Sequence, residues 1–218
     1  MLDFHSSIDR VIRRWPTSEA RAWVASFLNE AAQSTEILAV VALGSAVRPG
    51  VASEDIDLLV LHAAGVHPQW RAPIEVDLRG YDVVTMEEDL KTGADLPTWA
   101  VKHGVPLYDR SGDWRGIVDR WGDRLQLPDP AVAEKRAATA LSQHRALEQV
   151  GDESAANEVW VSYLTHMARA ALSRAGVFPA SRPELAGQLR SIGHTELADS
   201  LASALADRRR LASESTAV

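Results

Sequence analysis

A run of eight residues, EILAVVAL at 36–43, constrains the fold most, because it is apolar almost throughout and stops at Gly44. At that length it fits a strand buried on both faces better than a helix. Two more segments of strand length follow, DIDLLVLH at 55–62 and PIEVDLRGYDVV at 73–84. In the last one apolar and polar residues alternate, which predicts one buried and one polar face. The chain from 36 to 84 therefore predicts a small sheet.

Helical patterns surround these strands. The segment PTSEARAWVASFLNEAAQ at 16–33 predicts an amphipathic helix with Ser18 as its N-cap. The residues that follow the third strand predict one or two short helices, a stop at Gly104 and a brief strand VPLY at 105–108. Beyond LPDP the sequence becomes rich in Ala and shows no strand pattern. It predicts helices near 131–150, 153–175, 182–191 and 194–210.

The fold class that these patterns predict is α/β (α+β) with a small mixed sheet, followed by an all-α helical bundle domain. The Pro-containing step LPDP is the expected boundary. We therefore expect a first domain over 1–127, with its core motif at 36–84, and a helical domain over 128–218 that binds an acceptor or a partner.

Composition excludes several classes of function. The formal net charge is −7, and the positive charge is almost all Arg, scattered along the chain, which weakens the case for a nucleic-acid partner. The chain has no Cys, so disulfides, a thiolate nucleophile and a Cys-based zinc site are excluded. No stretch is apolar for the roughly 18 residues that a membrane span needs, and the first residues lack a signal-peptide pattern. A cytoplasmic location without a membrane partner is the expectation.

Two carboxylates at the start of the second strand need an explanation. Asp55 and Asp57 are two residues apart, so on a strand their side chains project to the same side. Burying two like charges together costs several kcal/mol unless a cation neutralises them. The alternative to a cation site is that Asp55 and Asp57 lie in the loop and only cap the strand.

The surroundings favour a cation site. Gly44 and Ser45 follow the first strand, at a point where a helix could begin, and such a turn offers backbone N–H groups and a hydroxyl to a phosphate. Asp77 arrives on the polar face of the third strand. Carboxylates that face a phosphate cradle are the ligands Mg²⁺ prefers, and two-metal phosphoryl transfer uses this arrangement.

The pattern of Gly44-Ser45, then Asp55-x-Asp57, then Asp77 in EVDL resembles the signature of the DNA polymerase β-like nucleotidyltransferase superfamily, in its minimal and kanamycin-type branch. The resemblance covers roughly residues 36 to 80 in its motifs. It implies that Asp55, Asp57 and Asp77 are catalytic and hold two Mg²⁺ ions. It also implies that Gly44 and Ser45 bind the β,γ-phosphates of ATP or another NTP.

The resemblance further implies transfer of a nucleoside monophosphate, with AMP from ATP expected, to a hydroxyl of a small molecule. The mechanism is two-metal in-line attack with release of pyrophosphate. Arg48 could contact the triphosphate or be a solvated helix residue. The alternatives are an antitoxin-type enzyme that adds AMP to a partner protein, and a catalytically silent regulator that binds a nucleotide or a partner. The sequence shows no basic patch that would support an RNA acceptor. Formation of a homodimer is left open.

The sequence leaves the roles of some residues open. Glu75 or Asp82 could replace Asp77 as the third carboxylate, and Glu153 or Glu158 could act as a general base from the helical domain. The aromatic and basic residues of the second predicted C-terminal helix could line an acceptor cleft, although packing within the bundle is the favoured interpretation; these are Trp160, Tyr163, His166, Met167 and Arg169. Ser181 and Glu184 have the spacing of a helix capping box.

Overall fold

A four-stranded mixed sheet lies in the first of two units into which the chain divides, Met1–Gln126 and Leu127–Val218. The computed structural model describes residues 4–12, 14–48, 55–66 and 69–215. The elements of the first unit are α1 (Phe4–Val11), α2 (Ser18–Gln33), β1 (Ile37–Leu43), β2 (Ile56–His62), β3 (Val76–Asp82), α3 (Val83–Thr92), α4 (Asp95–His103), β4 (Val105–Asp109) and α5 (Asp113–Trp121). Helices alone make up the second unit in its described part. They are α6 (Pro130–Val150), α7 (Glu153–Arg174), α8 (Leu185–Ser191) and α9 (Thr195–Ser215).

The strand order is β3-β2-β1-β4. The pair β1–β2 and the pair β1–β4 are antiparallel, whereas β2 and β3 are parallel. The predicted fold class, an α/β unit with a small mixed sheet followed by helices, is therefore confirmed. Within the described ranges, none of the helices combines the length and the apolar character that crossing a membrane would need.

Each face of the sheet is covered by its own helices. Ile56, Leu58 and Val60 pack with α1 and α2 on one face, while Leu59 and Leu61 pack with α3, α4 and α5 on the other. Burial on both faces explains why β1 and β2 are continuous apolar runs. We call these the α2 face and the α3 face of the sheet.

The helices of the first unit differ from the sequence prediction at three places. Helix α2 begins at Ser18, but its N-cap is Thr17, whose hydroxyl accepts a hydrogen bond from the Ala20 amide at 3.1 Å. The cap prediction at Ser18 was wrong by one residue. Helices α1 and α5 were not predicted; α5 is only nine residues long and contains Gly116.

The predicted third strand starts too early. Pro73 to Val76 form a turn closed by the Val76 amide and the Pro73 carbonyl at 3.0 Å, and Ile74 is 97% exposed rather than buried. The strand also ends two residues before the predicted limit, because Asp82 caps α3 by accepting hydrogen bonds from the Val84 and Thr85 amides.

In the second unit, α7, α8 and α9 share one apolar cluster. An ion pair between Arg174 and Glu134 joins α7 to α6. The predicted capping box is confirmed: the Glu184 carboxylate accepts hydrogen bonds from the Ser181 hydroxyl and, at 3.2 Å, from its backbone amide.

Candidate active site

Three strands meet at one end of the sheet and bring the predicted site residues together. In the pairing register Leu43 of β1 lies opposite Asp57 of β2, and Asp57 lies opposite Asp77 of β3. Neighbouring strands are about 4.8 Å apart, and partners in register point to the same face. Asp57 and Asp77 therefore stand side by side on the α3 face, with Gly44 directly after Leu43 at the same end.

Gly44 gives this end its shape. Its backbone has φ 70° and ψ −156°, a region that is essentially reserved for glycine. A Cβ placed on Gly44 would lie 2.0 Å from Oδ2 of Asp57. The Asp57 carboxylate therefore occupies space that only a glycine leaves open, against the backbone of the turn that leads to Ser45.

The turn after Gly44 is shorter than expected. Ser45–Val47 form a single 3-10 turn, not the start of an α-helix. Arg48 is already extended, at φ −97° and ψ 128°, as expected for a residue that precedes a proline. Phosphate binding at this place would thus depend on the Gly44 amide and the Ser45 hydroxyl, without an α-helix dipole behind them.

Asp55 lies one residue ahead of β2 and is exposed, while Asp57 is partly buried. The backbone pairing nevertheless continues there, since the Ile56 amide donates to the Glu75 carbonyl at 2.8 Å. The connection 49–54 that precedes Asp55 lies outside the described residues. The roles predicted for Asp55 and Arg48 stay predictions.

Arg79 is the charged partner of Asp77. Its Nη2 and Nε atoms donate to Oδ2 of Asp77 at 2.8 and 3.2 Å, and both side chains are partly open to solvent. The hydrogen bond with Asp77 and the attraction of its charge raise the pKa of Arg79, and the charge of Asp57 adds to the effect. The Arg79 guanidinium thus lies within the field of both carboxylates. Sequence reasoning did not assign it to the site, although its spacing of two from Asp77 on a strand was the available signal.

The two alternative carboxylates have different positions. Asp82 pairs with His62, five residues beyond the Asp57–Asp77 pair, which is about 16 Å along the strands. It caps α3, and hydrogen bonds from Thr85 lower its pKa. Glu75, by contrast, lies just before β3 at the end of the sheet where Asp57 and Asp77 stand. Between these alternatives, the register favours Glu75 over Asp82.

The residues present fit Mg²⁺ that arrives with a nucleotide better than a preformed metal cage. Within the ranges that the structure describes, no three His, Asp or Glu side chains form a metal-binding group. Mg²⁺ is usually bound through one or two carboxylates together with substrate phosphates and water. Asp57 and Asp77 supply hard oxygen donors of this kind on adjacent strands, and Gly44 leaves room for one of them.

Trp160, Tyr163 and Glu158 of the helical unit have packing or ion-pair partners there. Trp160 and Tyr163 stack with ring centroids 4.9 Å apart and pack against the apolar cluster of α7, α8 and α9. The Nε atom of Arg208 donates to the Glu158 carboxylate at 2.7 Å. Glu153 lies in the first turn of α7, where a negative charge is favourable. These contacts support the packing interpretation of this helix.

Comparison with known proteins gives a distant structural likeness. No protein-family model matches the chain, and no curated protein matches it. The crystal structure of a nucleotidyltransferase-like protein from Exiguobacterium sibiricum 255-15 is similar over 94% of this chain and 74% of that chain, with 16% identity and a TM-score of 0.39. An identity and a TM-score this low carry no conclusion about activity.

Proposed function

We propose that the protein is a Mg²⁺-dependent nucleotidyltransferase, which moves a nucleoside monophosphate from an NTP to a hydroxyl of a small molecule. ATP is the expected donor and AMP the expected group. The observation that carries the proposal is the register of the sheet: Asp57 and Asp77 are direct neighbours on one face, beside the turn at Gly44 and Ser45. Carboxylates next to such a turn match what phosphoryl transfer needs from a protein.

Each residue has a distinct role in this proposal. The Gly44 amide and the Ser45 hydroxyl donate hydrogen bonds to the β,γ-phosphates of the nucleotide. Asp57 and Asp77 would hold Mg²⁺ together with the phosphates, and Asp55 is the third expected ligand. Mg²⁺ held there would offset the negative charge of the phosphates and of the leaving pyrophosphate. Attack by the acceptor hydroxyl on the α-phosphate would be in line with the leaving pyrophosphate.

The transfer exchanges one phosphorus–oxygen bond for another. The acceptor oxygen forms a bond to the α-phosphorus, the bond from that phosphorus to the bridging oxygen of the β-phosphate breaks, and pyrophosphate leaves. The hydroxyl proton passes to a carboxylate at the end of the sheet, because ionised carboxylates are pure acceptors. Positioning and charge compensation supply most of the rate enhancement in such reactions.

The charge of the chain favours a small acceptor over RNA. With a formal net charge of −7 and scattered Arg residues, the protein would repel a polyanion unless a local basic surface compensated. A neutral or cationic molecule with hydroxyl groups meets no such barrier.

The test is a screen for pyrophosphate release with ATP, Mg²⁺ and a library of hydroxyl acceptors that includes aminoglycosides. We expect release with at least one acceptor class and none from Asp57→Asn. Glu88→Gln, an exposed carboxylate on α3, is the control and should behave as wild type. Label from ATP that appears on a protein in lysate would favour the protein-modifying alternative. ATP binding by calorimetry without release from any acceptor would favour the silent regulator.

A further inference from the structure

The ion pair between Arg79 and Asp77 sits on the atoms that the proposed reaction needs. Both Arg79 donors converge on one oxygen, Oδ2 of Asp77, at 2.8 and 3.2 Å. The pair arises from the strand itself, since residues two apart on β3 share a face. The guanidinium therefore covers one of the two oxygens that Asp77 could offer to a metal ion.

Charge explains why a cation belongs there when no metal ion is bound. Asp57 and Asp77 are cross-strand partners on one face, so their two negative charges repel each other. The Arg79 guanidinium contacts Asp77 at 2.8 Å, and Arg79 lies on the same face of the sheet as Asp57. A guanidinium that cannot lose its proton is a permanent counter-ion for this pair.

The pair is also easy to exchange. The Arg79 side chain is 62% exposed and that of Asp77 is 44% exposed, so water can solvate both groups once they separate. Exposed ion pairs contribute little to stability. A divalent ion that approaches Asp77 would thus meet a competitor that is bound weakly but is always present.

On the basis of the proposed function, we propose that Arg79 is a positioning residue that competes with the divalent cation for Asp77. In the ion-free protein, the Arg79 guanidinium lies on Oδ2 of Asp77 and offsets part of the negative charge of the carboxylate pair. When the cation binds, it replaces the Arg79 guanidinium at Oδ2 of Asp77. Binding of the cation and release of Arg79 therefore occur together.

The test is direct Mn²⁺ binding, followed through the electron paramagnetic resonance signal of free Mn²⁺, with the full-length protein and without nucleotide. Arg79→Gln should bind Mn²⁺ about five to ten times more tightly than wild type, because a unit positive charge a few ångströms from a divalent ion is removed. Arg79→Lys keeps the charge and should stay close to wild type.

Arg21→Gln is the matched control. Arg21 forms a similar exposed pair with Asp9, at 2.6 Å, and Arg21 lies on helix α2. The control loses the same charge and an equivalent ion pair, yet should leave Mn²⁺ affinity unchanged. An equal gain in both Gln variants would reduce the effect to net charge and overturn the proposal.

Two further results separate this inference from the proposed function. If Arg79→Gln binds Mn²⁺ as wild type does, or more weakly, while Asp57→Asn abolishes binding, the competition is wrong and the metal site stands. If neither wild type nor any variant binds Mn²⁺ while all remain folded by circular dichroism, the competition is wrong, and the metal-dependent function is then decided by pyrophosphate release with ATP and Mg²⁺ alone.

Discussion

Replacement of Gly44 by Ala is the sharpest structural test, because it affects both the backbone and the site. At φ 70° and ψ −156°, a residue with a Cβ is strained by about 1–3 kcal/mol. The new methyl group would also lie 2.0 Å from Oδ2 of Asp57, so this carboxylate must move. With overpacking added, we expect a loss of about 2–5 kcal/mol in the free energy of unfolding. For a chain of this size that corresponds to a fall of about 5–15 °C in Tm.

The Tm, by calorimetry, and the rate of pyrophosphate release should be measured on the same preparations. Displacing a catalytic group by about 1 Å can cost about 100-fold in rate, which is the loss we expect in pyrophosphate release for Gly44→Ala. Gly112→Ala is the matched control. Gly112 has φ 81° and ψ 24°, but a Cβ there meets nothing within 4 Å. It should cost only about 1–2 kcal/mol and leave the reaction unchanged. Equal melting temperatures for the two variants, with full activity in Gly44→Ala, would refute the reasoning.

Other substitutions test the remaining assignments. Asp82→Ala removes the N-cap of α3 and should cost about 1 kcal/mol in urea unfolding while pyrophosphate release persists; loss of activity in a folded variant would restore Asp82 as a site residue. Hydrogen bonds from Thr85 lower the pKa of Asp82 from its ordinary 3.8. The stability advantage of wild type over Asp82→Ala should therefore be complete above that value and fade as the pH falls through the lower folded-state pKa. Ser181→Ala should destabilise the helical unit by about 1 kcal/mol, and the loss should be non-additive with Glu184→Ala because the two side chains bond to each other. Additive losses in urea unfolding would contradict the capping box.

The buried strands could be predicted from the sequence because a strand that is buried on both faces is a continuous apolar run. In β1 and β2 nearly every residue is apolar, and the structure begins each strand within one residue of the predicted limit. In the segment before β3 the pattern was misleading. Ile74 fits the alternation of apolar and polar residues, but it lies in the turn before the strand and is exposed. The alternation alone does not show where the strand begins.

The site required information that single strands do not carry. Alternation assigns Glu75 and Asp77 to one face equally well, and only the parallel register that pairs Asp57 with Asp77 distinguishes them. The helix that could begin after Gly44 is only a single 3-10 turn, because the residue before Pro49 is driven to an extended backbone. Proline position, visible in the sequence, was the available signal.

Metal-dependent transfer at the paired carboxylates can be measured as transfer of label from α-labelled ATP to an acceptor in the presence of Mg²⁺. Asp57→Asn and Asp77→Asn are compared with wild type and with Glu88→Gln, after circular dichroism shows that all four are folded. Both Asp variants should lose transfer while Glu88→Gln retains it, because the paired carboxylates of β2 and β3 are the proposed metal ligands. Undiminished transfer by a folded Asp57→Asn variant would contradict the proposed metal site.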